Sequence, residues 1–230
     1  MRRYKIGRKI RRYREIANIV IKYGFGYLLE KAHLKLSILP IRKKNQILSP
    51  AVRLRKMLEE LGPTFIKMGQ ILSTRPDLVP IEYLKELEKL QDSTEPVEYE
   101  KIKDVFEKNL RCKIADTFDY FDEKPIASAS ISQVHIASYK KEKVAVKIQK
   151  PEIAEKIFLD MEILYDIAQL VERFIKEADI YKPVKIVEEF EKSVRKELDF
   201  SYEGRNIERF RKNFASYENI VIPDVYKELT

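Results

Sequence analysis

The spacing of apolar residues changes period twice along the 230-residue chain, and this limits what it can fold into. Up to Leu110 apolar positions recur every three or four residues, the period of a helix that buries one face. Thr117–Phe121, Ile131–Tyr139 and Val144–Ile148 alternate, as half-buried strands do. From Glu152 onward Ile153, Ile157, Met161, Leu164, Ala168, Val171 and Ile175 return to helical steps. The chain is therefore α+β, an α+β body behind an all-α extension.

Turn and cap residues punctuate this pattern. The first 36 residues read as helix, weakened by Gly24 and Gly26, and Pro40–Ser49 reads as a connector. Ser49-Pro50 is an N-cap followed by proline at the first helical position, and Gly62 closes that helix. A helix from Pro63 to Ser73 stops at Arg75-Pro76-Asp77. Pro80 opens another, with Leu84, Leu87 and Leu90 on one stripe, and a fourth carries Ile102, Val105, Phe106 and Leu110. Tyr139–Lys143 is a polar hairpin turn. After Pro183 a helix running to about residue 212 carries Val187, Phe190, Val194 and Leu198. Asn219–Val225, interrupted by Pro223, reads as a short last strand.

Charge is distributed unevenly. Residues 1–56 hold 17 Lys/Arg against Glu15 and Glu30, whereas the remainder is mildly acidic within a net charge of +8. A basic arm of this kind points to a polyanionic partner, an anionic membrane or nucleic acid. The membrane reading makes residues 1–56 an amphipathic surface helix that inserts Ile16, Ile19, Val20 and Phe25. The other reading packs a solvated basic helix on the acidic body. Scarcity of Asn and Gln in the arm speaks against base readout and leaves phosphate-backbone binding open. No apolar run approaches the roughly 18 residues of a spanning helix, and no signal-peptide pattern opens the chain, so a cytoplasmic protein, peripheral at the membrane surface, is expected. The lone Cys112 excludes an internal disulfide. His33 and His135 lack metal-site spacing, so no metal site is expected, and a lone histidine is usually structural.

One strand carries a chemical signal. Ala145-Val146-Lys147-Ile148 sets a lysine in an otherwise apolar strand, where a buried ammonium needs a carboxylate or phosphate. A snorkelling strand lysine is the plainer alternative. Before it, Ala127-Ser128-Ala129-Ser130 is a loop of small residues without glycine; no glycine occurs between Gly69 and Gly204. Such a loop lets a backbone approach an anion, and its serines add hydroxyl donors, without the freedom of positive φ.

Four segments in order, Leu61–Gln70 followed by Ser73–Leu78, Ala127–Ser130, Val146–Gln149, and Glu197-Leu198-Asp199 with Glu203, resemble the UbiB/AarF atypical kinase-like family. The loop departs from the family's three-alanine run at Ser128. The resemblance implies a helical N-terminal extension followed by a protein-kinase-like N-lobe, an antiparallel sheet with long helices, with the C-lobe absent. It divides the chain into a basic arm (1–48), an extension with the K-x-G-Q motif (49–112) and the N-lobe (113–230). It also implies an ATP site, with magnesium in the complete protein. Ala127, Ser128, Ala129 and Ser130 would cover the phosphates. Lys147 would contact them and pair with Glu197, while Lys67, Gln70, Asp199 and Glu203 would border the pocket. On one straight helix Asp199 and Glu203 share a face that Glu197 does not, so one set faces Lys147 and the other Lys67. Asp199-Phe200-Ser201 lies inside that helix and is not the metal-binding D-F-G.

No catalytic residue is expected within the chain, because no histidine follows His135 and no catalytic loop is found. The family implies phosphotransferase or ATPase chemistry in the complete protein, in support of quinone or isoprenoid lipid metabolism and with quinone-pathway proteins as partners. The chain as given would not turn ATP over. Readings from other classes are a non-enzymatic basic helical module that binds nucleic acid or membrane, and an interaction scaffold with a vestigial pocket.

Overall fold

A computed structural model of the chain describes residues 2–27, 48–90, 94–175 and 180–230, with side chains from residue 6 onward. In chain order the elements are α1 (Arg2–Lys22), α2 (Pro50–Leu61), α3 (Pro63–Ser73), α4 (Ile81–Leu87), α5 (Tyr99–Leu110) and α6 (Ile114–Thr117). Strands β1 (Tyr120–Phe121), β2 (Ala127–Ser128), β3 (Ser132–Tyr139) and β4 (Glu142–Gln149) follow. Then come α7 (Ile153–Phe174), α8 (Pro183–Leu198), α9 (Phe200–Asn213) and a 3-10 turn, Lys227–Leu229. Two compact units emerge, one of residues 1–93 with 152–190, the other of residues 94–151 with 191–230.

The first unit is helical. Ser49 accepts from the Val52 amide at 3.4 Å, Pro50 occupies the first turn of α2, and Gly62 (φ 99°) ends that helix and begins α3. The first helix stops at Lys22, earlier than the spacing suggests. Gly24 turns the chain at φ 82°, and a Cβ there would lie 2.3 Å from the Arg53 guanidinium, which donates to the Tyr23 carbonyl at 2.9 Å. Residues 28–36 of the expected helix, and 40–47 of the expected connector, lie outside the described residues. Ile16, Ile19, Leu58, Leu61, Phe65 and Leu87 form the centre of the core. Gly69 is a packing requirement, because a Cβ would sit 2.3 Å from Leu90 and 2.8 Å from Leu58, both buried.

This core corrects the expected insertion of α1 into a membrane. Ile16, Ile19 and Phe25 are buried within the unit, and the basic residues beside them are largely paired. Arg8 meets Glu155, Lys9 meets Glu162 and Asp166, and Lys22 meets Glu60. Tyr13 donates to Asp166. Burial opposes ionisation of Asp166, but hydrogen bonds from Lys9 and Tyr13 hold it below the usual carboxylate range.

Arg12 is the exception to the rule that surface pairs contribute little. Its Nε and Nη2 grip the two oxygens of fully buried Asp160 at 2.7 and 3.1 Å, and Nη2 also reaches the Leu61 carbonyl at 2.7 Å. Thr64 donates to the same carboxylate at 2.7 Å. Burial disfavours the guanidinium charge, but the hydrogen bonds to Asp160 outweigh it and raise the Arg12 pKa. One guanidinium thus joins α1, the α2–α3 junction and α7.

In the second unit β3 is central. β1 and β2 share one of its edges and β4 runs along the other, all antiparallel. Val134 pairs with Lys147 and His135 with Val146, and a two-residue turn, Lys140-Lys141, closes the hairpin with φ of 52° and 68°. Ile102 and Phe106 of α5 pack with Ile114, Phe118, Ala137 and Ile148 under the sheet.

Three local expectations change. Thr117–Phe121 is mostly not strand: Thr117 ends a helical turn, capped by its hydroxyl on the Lys113 carbonyl, and only Tyr120–Phe121 pairs. Residues 219–225 join no ladder: Asn219 lies in a turn, residues 220–225 have no regular structure, and Pro223 removes one donor. The expected long helix to residue 212 is two helices. Asp199 leaves helical geometry (φ −96°, ψ 92°) and its carboxylate accepts from the Tyr202 amide, while Gln149 takes the Leu198 carbonyl at 3.1 Å.

Replacing Arg12 by leucine leaves Asp160 buried without its counter-charge. The expected loss in urea unfolding is about 3–5 kcal/mol, whereas Lys22→Ala, at a solvated pair, should cost about 1 kcal/mol or less. Equal effects of the two substitutions would show that the buried network is not what holds the unit.

Candidate functional site

Strict alternation along β3 and β4 sorts their side chains between two faces. Gln133, His135, Val144, Val146 and Ile148 turn towards α5, and Val134, Lys143, Ala145 and Lys147 turn the other way. Ala127 pairs with Val134, which pairs with Lys147, so the start of the small-residue loop and the lysine share one row on one face. Two strand spacings put their backbones about 10 Å apart.

Lys147 is not the buried ammonium its apolar neighbours suggest, since its side chain is 37% exposed. Its Nζ lies 2.6 Å from Glu203 in the first turn of α9 and 4.8 Å from the centre of the Phe200 ring. The carboxylate paired with Lys147 is thus Glu203, not the expected Glu197. The reason is the break at Asp199: a new helix starts there and carries Glu203 to the lysine, while Glu197 stays in the last turn of α8. Asp199 is spent on capping. Hydrogen bonds from Ser201, the Tyr202 amide and Arg205 hold its carboxyl below the usual range. Asp199-Phe200-Ser201 is therefore a helix start and not, as expected, helix interior.

A cleft of about 840 Å³ runs along β4, and Phe106, Leu110, Lys147, Phe200, Val225 and Tyr226 are among its walls. It is mostly apolar with a few charged groups, and its volume falls within the usual range for small-molecule pockets. Glu203 and Lys147 are the charged pair at its Phe200 end.

The loop is tightly closed, with the Ala129 amide donating to the Ser132 carbonyl at 2.8 Å. Its hydroxyls do not behave as expected. Ser128 pairs with Gln133 and so belongs to the buried face, and the side-chain oxygens of both Ser128 and Ser130 are enclosed. What the loop offers on the outer face is backbone and the methyls of Ala127 and Ala129. Lys67 and Gln70 lie on α3 in the first unit, where Gln70 donates to the Leu90 carbonyl at 3.2 Å.

A polar network that sequence spacing does not mark lies beneath the sheet. Gln133 accepts from the Val97 amide at 2.9 Å, donates to the Val97 carbonyl, and contacts His135 Nε2 at 2.9 Å. His135 Nδ1 lies 2.8 Å from the Asp122 carbonyl, which can only accept. His135 therefore carries its proton on Nδ1 and accepts a hydrogen bond at Nε2 from the Gln133 amide. Buried and stacked on Phe121, it is a structural histidine. The only sequence signal was that a lone histidine is usually structural; alternation sets it on the face opposite the apolar Val134 and Ile136.

Ser128 Oγ is enclosed with no hydrogen-bond partner, a state that costs about 1–3 kcal/mol. Ser128→Ala should therefore leave stability unchanged or raise it by about 1 kcal/mol in urea unfolding. A clear loss would show that the hydroxyl has a partner.

Residues 89–230 match the ABC1 atypical kinase-like domain. The probable protein kinase UbiB of Vibrio cholerae is 38% identical over 226 residues, covering 94% of this chain and 42% of the relative. An uncharacterized protein in the hydrogenase 1 5' region of Clostridium pasteurianum is 42% identical over 202 residues, covering 87% and 36%. Among solved structures, that of the Rv3197–erythromycin complex from Mycobacterium tuberculosis matches with a TM-score of 0.50 at 30% identity, over 76% of this chain and 44% of the other. The chain thus spans less than half the length of the relatives it matches. With the lysine strand, its paired glutamate and the small-residue loop all inside the matched region, the chain belongs to the ABC1 atypical kinase-like family, to which UbiB also belongs.

Proposed function

We propose that the second unit binds ATP. The observation that carries the reading is the row Ala127–Val134–Lys147: a small-residue loop and a cation on one face of one sheet, beside a cleft of small-molecule size. Lys147 would leave Glu203 for the phosphates, whose charge it matches, and the loop's small side chains would let those phosphates approach the backbone. Phe200 and the apolar cleft walls suit a base. The charge fits a phosphate ligand. Among the described residues no group of three or more His, Cys, Asp or Glu is gathered to hold a metal ion, and the residues around Lys147 are read for their phosphate contact alone.

In the longer relatives the same unit would serve a phosphotransferase or ATPase acting in lipid, quinone or isoprenoid metabolism, a reading that rests on family membership. Phosphoryl transfer needs a group that orients the nucleophile, and the residues around Lys147 supply a phosphate contact only. The chain should bind ATP and not turn it over. Isothermal titration should show Lys147→Ala weakening ATP by about tenfold or more, roughly the 1.4 kcal/mol of one charged contact, with adenosine little changed. Equal ATP affinity in the two proteins refutes the assignment. Steady-state hydrolysis that depends on Lys147 would refute the absence of turnover.

We also propose peripheral contact with an anionic membrane surface, in a revised form. No helix among the described residues is long and apolar enough to cross a membrane. With the inner face of α1 buried, its outer face still shows Ile6, Ile10, Arg11 and Arg14. Each arginine at such a surface contributes about 1 kcal/mol. Sedimentation with vesicles should rise with anionic lipid content and fall with salt, and Arg11→Glu with Arg14→Glu should abolish it. Binding that survives the double substitution would place the contact elsewhere.

A further inference from the structure

The loop that the nucleotide reading uses is held from outside by a short strap. The Thr94 amide donates to the Ser128 carbonyl at 3.0 Å, and the Thr94 hydroxyl donates to the Ala129 carbonyl at 2.7 Å. The same hydroxyl accepts from Lys150 Nζ at 2.6 Å, and Nζ also donates to the Glu95 carbonyl at 3.1 Å. A third tie lies three residues on, where the Gln133 side chain pairs with both backbone groups of Val97 as a strand would. Strap, loop and sheet are all in the second unit.

We infer that Thr94 and Lys150 are positioning residues for the loop Ala127–Ser130, and so for the phosphates of the bound nucleotide. Two successive loop carbonyls, Ser128 and Ala129, are turned towards Thr94 and satisfied there. A carbonyl facing an anion repels it, so fixing these two towards the strap leaves the outer side of the loop free of that repulsion. In kinases at large a glycine loop reaches a phosphate-compatible shape by its own freedom. Here the residues are alanine and serine, and external hydrogen bonds choose the shape. The Lys150 ammonium polarises the Thr94 hydroxyl and strengthens its bond to Ala129, as linked hydrogen bonds do. Lys150 follows Lys147 by three positions, just past the end of β4, so one short segment supplies the proposed phosphate contact and the anchor of the loop.

The inference rests on the ATP reading, since what is positioned is the loop that reading uses, and the experiment separates the two. Hydrogen exchange of the peptide covering residues 126–132, without nucleotide, reads the clamp alone. Thr94→Val, which keeps the side-chain shape, should speed exchange of the Ala129 amide by about tenfold. Thr94→Ser should restore the wild-type rate, and Lys150→Met should fall between. In titrations Thr94→Val should weaken ATP by about fivefold and leave adenosine unchanged, with Thr94→Ser again restoring affinity. Unchanged exchange in Thr94→Val overturns the clamp. Faster exchange with unchanged ATP affinity shows a merely structural tie and overturns the positioning role. A wild-type chain that binds no ATP overturns the nucleotide reading and the role with it, and the exchange rates still show whether the clamp exists. Thermal unfolding of each variant separates a loosened loop from an unfolded unit, and Lys150→Met keeps the test decisive if Thr94→Val fails to fold.

Discussion

Everything at the candidate site depends on one two-residue turn. Lys140 and Lys141 both adopt positive φ, the conformation that closes an antiparallel hairpin with the twist of its strands. The residues best suited to it are asparagine and glycine, and a pair of lysines holds it against their own preference. The turn fixes Val134 opposite Lys147. A slip of one strand by one residue would either send Lys147 under the sheet towards Ile102 and Phe106, with Ile148 turned out, or turn Gln133 and His135 out of it. The inner network resists that slip. Gln133 and His135 have partners only in the observed register, at Val97 and Asp122. Turn and network are thus two locks on one alignment.

The hairpin, the lysine strand and most helix boundaries were legible because each depends on neighbours in sequence. Ser49-Pro50, Gly62 and Pro183 act within one turn, and alternation shows a strand wherever one face is covered. The break at Asp199 was not legible, because periodicity runs through it. A side chain capping its own successors competes with continuing the helix, and here a distant glutamine takes the last carbonyl. Choosing Glu203 over Glu197 follows from that break alone. Apolar residues at 219–225 gave a strand pattern, yet a strand exists only where another accepts its hydrogen bonds.

The basic arm shows the same limit for charge. Composition gives the excess of cations but does not say which of them are already answered. Arg12 and Asp160 are 148 positions apart, and nothing local marks either as the other's partner. Once they meet, the positive face of α1 is an internal fixture of a helical unit, and only its outer rim remains for anything else. Gly69 belongs to the same class. The motif that carries Lys67 and Gln70 also contains a residue that lets three helices close on one another.

The discontinuity of the two units governs the order in which the chain can be built. The first needs residues 152–190 to join 1–93, and the second needs 191–230 to join 94–151. During synthesis the Asp160 that Arg12 requires emerges only after the whole β-hairpin has been made. Until then α1 to α3 carry an unmatched guanidinium and an open core, while the hairpin waits for α9 to bring Glu203. Neither unit is a contiguous stretch of chain. Cleavage in the segment between β4 and α7 would therefore yield not two domains but two incomplete halves of both.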